Sequence, residues 1–240
     1  MVATGRKAST LRRIRRLGAR VAEDNKAAVE EADITVLAVK PQQLPGVVEE
    51  IRGAARGKVV VSVAAAVPLS WLVERLPGAH LVRAMPNINV VSRTSFTALT
   101  AKGLPRRARR LVETLFGALG VYEWVDERHM DVLTALSGSG PAFLAEVLDA
   151  LTLGGVAAGL PRELARRAAL YTMLGTARTL LDNGMHPAEL RDAVTTPAGT
   201  TIKGIMAIQA LGAKKALIDA VLEATRRAAE LKLHLEHSHS

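Results

Sequence analysis

The period of the apolar residues changes once along the chain. Between residues 34 and 125, short runs rich in β-branched residues alternate with segments whose apolar positions recur every three or four residues. ITVLAV (34–39), KVVVSVAAA (58–66), HLVRAM (80–85), SFTALT (95–100) and VYEWV (121–125) predict strands. Between them, Leu44, Val47, Val48 and Ile51 share one helical face, PLSWLVERL opens with a proline suited to a first turn, and GLPRRARRLVETLFGAL is amphipathic. Apolar strands separated by helices are the pattern of βαβ units around a parallel sheet. After Asp126 the strand signals stop and helix follows helix. In PAFLAEVLDALTLGG, Phe143, Leu144, Val147, Leu148 and Leu151 make one face, while Ala142, Ala145 and Ala150 leave little polar surface elsewhere. Such a helix calls for burial on more than one side, which pairing of two copies would supply.

The start of the chain predicts a strand end at MVATG, a helix at STLRRIRRLG, a short edge strand at ARVA and a helix at DNKAAVEEAD. In a doubly wound sheet the first strand is central and leads into a glycine-rich turn that cradles a pyrophosphate. Here the chain opens at what reads as the second strand, and no G-x-G-x-x-G occurs. LSGSGPAF (136–143) is no substitute: the segment before it reads as helix, and Phe143 stands at the third glycine's place. It reads as a break between helices, with Ser137 or Ser139 as cap and Pro141 in the first turn. The fold class predicted is therefore an α/β Rossmann-like domain lacking its first strand (1–125), followed by an all-α domain (126–240).

Composition narrows the chemistry. The 240 residues are 49% apolar, 3% aromatic and free of cysteine, which removes disulfides, thiolate zinc sites and cysteine nucleophiles. No apolar run approaches a membrane span and the start lacks a signal-peptide core, so a soluble, cytoplasmic protein without a membrane partner is expected. The net charge of +9 is concentrated at Arg6 to Arg20 and at Arg106 to Arg110. With few aromatics and no nucleic-acid module, these clusters read as solvated helix faces, not as a nucleic-acid interface. His186 and Glu189 are too few for a metal site, His80 and His129 read as packing or surface residues, and the tail with His234, His237 and His239 as a frayed end.

Taken in order, AVKPQ (38–42), SVAAAV (62–67), RAMPN (83–87), ALSGSGPAF (135–143), GLPRELA (159–165) and HPAELRDAVTTPAGTTIKG (186–204) resemble pyrroline-5-carboxylate reductases. The resemblance implies reduction of 1-pyrroline-5-carboxylate to L-proline with NADP(H), or NAD(H), by a homodimer or an oligomer of dimers. It implies a Rossmann domain and a helical domain for dimerisation and substrate binding. By the same resemblance Arg6 and Lys7 lie at the adenosine ribose, Asn25 faces the adenosine, and Ala38, Lys40 and Pro41 lie beside the nicotinamide ribose. Ala64, Ala65, Met85, Pro86 and Asn87 would wall the nicotinamide. Thr196, Gly199, Thr200 and Thr201 would contact the substrate, with Thr201 nearest the imine. Independently of the resemblance, the hydroxyl-rich TTPAGTT before a helix suits a small carboxylate, or is simply a capped helix start.

Four departures from the family pattern stand out. Ile88-Asn89 and Arg93-Thr94-Ser95 replace Thr-Pro and Gly-Glu-Gly, and Ala198 replaces a glycine, at a cost if its φ is positive. The absent first strand is the largest, and a true start upstream is the expected explanation. The competing reading is a non-catalytic dimeric scaffold whose cofactor site is broken.

Overall fold

A computed structural model describes residues 1–237, with side chains described through Leu231. Packing divides the chain into two units, Met1–Ser139 with the last segment from Ala224, and Gly140–Glu223.

The first unit contains β1 (Val2–Ala3), α1 (Ala8–Arg16), β2 (Arg20–Val21), α2 (Asn25–Glu31), β3 (Ile34–Leu37), α3 (Leu44–Ile51), β4 (Val59–Ser62), α4 (Leu69–Arg75), β5 (His80–Met85), β6 (Ser95–Ala101), α5 (Arg106–Gly117), β7 (Gly120–Trp124) and α6 (Met130–Leu133). The strands form two sheets, β1-β2 and β3-β4-β5-β6-β7. β3, β4 and β5 are parallel, but β6 runs antiparallel to β5, so the sheet is mixed and not wholly parallel as the pattern suggested. The reason is the link: the few residues after Met85 are too short for the crossover that a parallel neighbour needs. One sheet face packs Leu37 and Val60 against Val29, Leu44, Ile51, Trp71 and Leu72. The other packs Val59, Val61, Val82 and Leu99 against Val112 and Phe116 of α5.

Strands stop at Trp124, yet residues 127–139 belong with the sheet. The cause is Arg83 on β5, only 1% exposed, whose guanidinium pairs with Glu127 at 3.3 Å and Asp131 at 3.4 Å. Glu127 Oε1 also accepts from the Leu69 amide at 2.6 Å, at the start of α4. Met130 and Ala135 are buried beside them. The joint itself is a π-helical turn, Thr134–Gly138, not the expected break. Ser137 does not cap: its hydroxyl donates to the Leu133 carbonyl at 2.8 Å, and its own carbonyl accepts from Asn87 Nδ2 at 3.0 Å. A widened turn frees that carbonyl for a partner outside the helix.

Both tryptophans lie in this unit beneath guanidinium groups, Trp71 under Arg75 and Trp124 under Arg109. Trp124 Nε1 and Arg109 Nε both donate to Glu113 Oε1 at 2.8 Å. The Trp124 bond, then the Arg109 bond, hold the Glu113 carboxyl below its usual range.

The second unit is built from α7 (Gly140–Ala157), α8 (Arg162–Asn183), α9 (Pro187–Ala193), α10 (Thr200–Ala210) and the first part of α11 (Ala213–His237). α7 and α8 approach closely: a Cβ on Gly155 would stand 3.0 Å from the Ala165 Cβ. His186 and Glu189 form a cap on α9, where His186 Nδ1 accepts from the Ala188 amide and Glu189 Oε2 from the His186 amide. Leu144, Leu151, Leu174, Leu181, Leu211 and Leu222 are exposed. By length and composition alone the helical stretch Glu127–Ala157 could cross a membrane, contrary to the sequence expectation, because alanine and glycine extend its apolar character past the bulky runs. α11 continues to His237, so the helix includes most of the segment read as frayed; the side chains of His234, His237 and His239 lie outside the described residues.

Gly120 begins β7 at φ 144, and a Cβ there would collide with the Ser95 carbonyl oxygen on β6. Gly120→Ala is expected to cost about 3 kcal/mol, read as a lower denaturation midpoint with an unchanged m-value.

Candidate functional site

Two loops end at a common cleft of about 620 Å³ in the first unit. Thr4, Gly5, Arg6 and Lys7 follow β1, and Ala38, Val39 and Lys40 follow β3. Asn25, at the start of α2, and Gln43, Val47 and Glu50 also line it, with Glu23 and Asp24. Carboxyl ends of strands are where open α/β sheets bind ligands, because the helices that follow present unpaired N–H groups there. α1 is such a helix: Lys7 occupies its N-cap without a side-chain cap, and no acid stands in its first turn.

The cleft gathers five of the residues singled out from sequence: Arg6, Lys7, Asn25, Ala38 and Lys40. Arg6, Lys7 and Lys40 are exposed, and none forms an ion pair among the described residues. Asn25 is already engaged. Its Oδ1 accepts from Thr4 Oγ1 at 2.5 Å, its Nδ2 donates to Glu50 Oε2 at 2.7 Å, and its amide reaches Glu50 Oε1 at 3.3 Å. A carboxamide held at both ends presents a fixed surface instead of a free hydrogen-bonding tip. Glu50 was missed from sequence because, at the end of α3, it reads as one more charge on a solvated face. Asp24 caps α2 by accepting from the Ala27 amide at 2.7 Å, as its place before the helix signals.

Pro41 begins a short 3₁₀ turn beyond Lys40 and does not line the cleft. Ala64 and Ala65 follow β4, and Met85, Pro86 and Asn87 end and follow β5, so both groups stand at the carboxyl ends of neighbouring parallel strands. Ala64 and Met85 are buried and Ala65 is exposed. Next in the chain, Ala66 holds a left-handed φ of 62, a strained conformation for a residue with a Cβ. Asn87 is tied on three sides: its amide donates to Ser95 Oγ at 3.2 Å, its Oδ1 accepts from the Asn89 amide at 3.0 Å, and its Nδ2 holds Ser137. Its observed work is to shape this loop.

In the second unit Thr196, Gly199, Thr200 and Thr201 form their own cluster. Gly199 is the N-cap of α10 and offers no side-chain cap, so the first-turn N–H groups of Thr200 and Thr201 have no partner within the helix. A Cβ on Gly199 would collide with Thr196 Oγ1, so only glycine lets that hydroxyl fold in. Ala198 takes a left-handed φ of 59, the costly case foreseen for this position. The arrangement is an uncapped helix start rimmed with hydroxyls, fit for an anion.

Residues 127–231 match the family model for pyrroline-5-carboxylate reductase dimerisation, and residues 1–66 that for NADP oxidoreductase, coenzyme F420-dependent. A pyrroline-5-carboxylate reductase of Methanosarcina acetivorans is 43% identical over 90% of this chain and 81% of its own length. That of Synechocystis is 40% identical over 88% and 80%. A solved reductase of Coxiella burnetii superposes with a TM-score of 0.87 at 32% identity, covering 96% of this chain and 87% of its own. A Plasmodium falciparum reductase solved with NADP gives the same score at 24% identity over the same shares, a likeness of fold. With both units matched at such identity across nine-tenths of its length, the chain belongs to the pyrroline-5-carboxylate reductase family.

Proposed function

We propose that this protein reduces 1-pyrroline-5-carboxylate to L-proline with NADPH as hydride donor. The observation that carries the reading is the 43% identity to a named reductase across both units. Its setting is cytoplasmic in the same reading.

The cleft suits the adenosine end of such a cofactor. Two unpaired cations, Arg6 and Lys7, stand beside the uncapped start of α1, a combination that favours a ribose phosphate. Lys40 supplies a third charge where a ribose or phosphate would pass. The described residues hold no glycine turn for the pyrophosphate, so the fit is to the adenosine end. When bound, the cofactor supplies the hydride; the protein supplies position and charge. Ala64, Ala65, Met85 and Pro86 offer small or rigid walls for a flat ring. Thr200 and Thr201, with the N–H groups of the first turn of α10, would hold the substrate carboxylate. The imine nitrogen carries its own proton into the site as an iminium, so no strong general acid is required.

Unit two supports a homodimer. Its exposed leucines belong to helices apolar on more than one side, and the matched family model is a dimerisation region. The competing scaffold reading shares this dimer and lacks the chemistry.

Four outcomes are expected. NADPH oxidation will depend on added 1-pyrroline-5-carboxylate and yield proline. The double variant Arg6→Ala, Lys7→Ala will raise KM for NADPH about tenfold or more while changing that for NADH little. A dimer with no turnover would instead favour the scaffold. In the loop before α10, Ala198→Gly removes a left-handed alanine and will raise stability by about 1 kcal/mol, read in denaturant melts. Replacing Leu174 and Leu181 with aspartate will shift the dimer to monomer in sedimentation while helical content persists.

A further inference from the structure

A carboxylate on the wall of a cleft that gathers Arg6, Lys7 and Lys40 needs a reason, because it repels the anion those cations attract. Glu50, near the end of α3, is such a residue: it is exposed and makes no ion pair among the described residues. Both of its oxygens go to Asn25. Oε1 accepts from the Asn25 amide at 3.3 Å, and Oε2 accepts from Asn25 Nδ2 at 2.7 Å.

A carboxylate accepts and does not donate, so it settles which way the carboxamide lies, with Nδ2 toward Glu50 and Oδ1 away from it. Oδ1 meets Thr4 Oγ1 at 2.5 Å, and since a carbonyl oxygen can only accept, the hydroxyl is the donor. A hydroxyl has one hydrogen. With it given to Asn25, Thr4 offers lone pairs alone to the cleft it lines. Thr4, Asn25 and Glu50 therefore form a one-way chain of donors and acceptors whose direction is set at Glu50.

Thr4 stands at the carboxyl end of β1, in the same loop as Arg6 and Lys7. That loop presents two opposite demands. The lone pairs of Thr4 turn away a phosphate oxygen and take an O–H, while the two cations take the phosphate. In the adenosine half of NADPH the 2′ oxygen carries phosphate and the 5′ oxygen the pyrophosphate, so the ribose donor that remains is the 3′ hydroxyl.

We propose that Glu50 is a positioning residue for the adenosine ribose of the cofactor. Through Asn25 it holds Thr4 as an acceptor for the 3′ hydroxyl and leaves the 2′ phosphate to Arg6 and Lys7. The inference rests on the NADPH reading for its ligand and adds to it the residue that sets the polarity of the cleft.

The probe is adenosine 2′,5′-bisphosphate, titrated by calorimetry into the full chain. The sign of the effect separates two roles for Glu50. If its charge merely faced the ligand, Glu50→Ala would tighten binding of this anion. Acting through Thr4, Glu50→Ala is expected to weaken it about fivefold, the loss of one hydrogen bond. Thr4→Val should weaken it as much, and the two changes together no further, because they remove the same bond. The 3′-deoxy analogue should bind the wild type and Glu50→Ala alike. In the free protein, the Asn25 Nδ2 protons should shift in the NMR spectrum of Glu50→Ala while circular dichroism stays unchanged. Tighter or equal binding by Glu50→Ala would overturn the proposal. So would additive losses, which would give Glu50 a separate role, and so would an equal loss with the 3′-deoxy analogue, the result of a structural defect. Failure of the wild type to bind the bisphosphate would overturn it too, whereas the reductase reading is judged separately, by turnover with NADPH.

Discussion

A guanidinium buried to 1% exposure must be matched by negative charge, and the first unit is arranged around meeting that demand for Arg83. Its partners, Glu127 and Asp131, come from a helical segment outside the sheet. The same Glu127 oxygen accepts the amide that opens α4. One carboxylate thus ties a strand, a helix start and the segment leading to the π turn. Losing one side of such a pair costs about 3–5 kcal/mol, since the other charge stays buried alone. Arg83 Nε itself has no partner, so the guanidinium is held by its two terminal nitrogens.

Two residues along that chain of contacts sit beside the candidate chemistry. Met85 and Asn87 lie on the same strand end as Arg83, and Asn87 reaches the Ser137 carbonyl. The wall proposed for the nicotinamide is therefore shaped by bonds to the π turn. At the cleft, Asn25 is likewise held at both ends of its carboxamide, by Thr4 and by Glu50. Both side chains are fixed by partners in the protein before any ligand arrives, while Arg6, Lys7 and Lys40 keep their charges free.

Much of this was legible in the chain. Continuous apolar runs such as VVVS gave the strands, because a strand covered on both faces has no reason to alternate. The cost at Ala198 is foreseeable, for a positive φ, because the family the chain resembles carries glycine there, and the observed φ is left-handed. Other features depend on distant partners. Nothing local marks Arg83 as buried or assigns it Glu127 and Asp131. Nothing marks Glu50 as the anchor of Asn25. The turn at Ser137 read as a break because serine and glycine usually end helices, whereas here a widened turn continues with its spare carbonyl taken by Asn87. The reversed direction of β6 was likewise hidden, since β-branched runs carry no sign of strand polarity.

The placement of the tryptophans decides what optical experiments can see. Trp71 and Trp124 are the chain's two indoles, and each is stacked under an arginine in the sheet-bearing unit. Gly140–Glu223 carries none. Indole emission therefore reports the sheet unit alone, while far-ultraviolet dichroism is weighted toward the helices of the other. The two signals are separate clocks, and their coincidence or divergence during a melt measures whether the units unfold as one cooperative body.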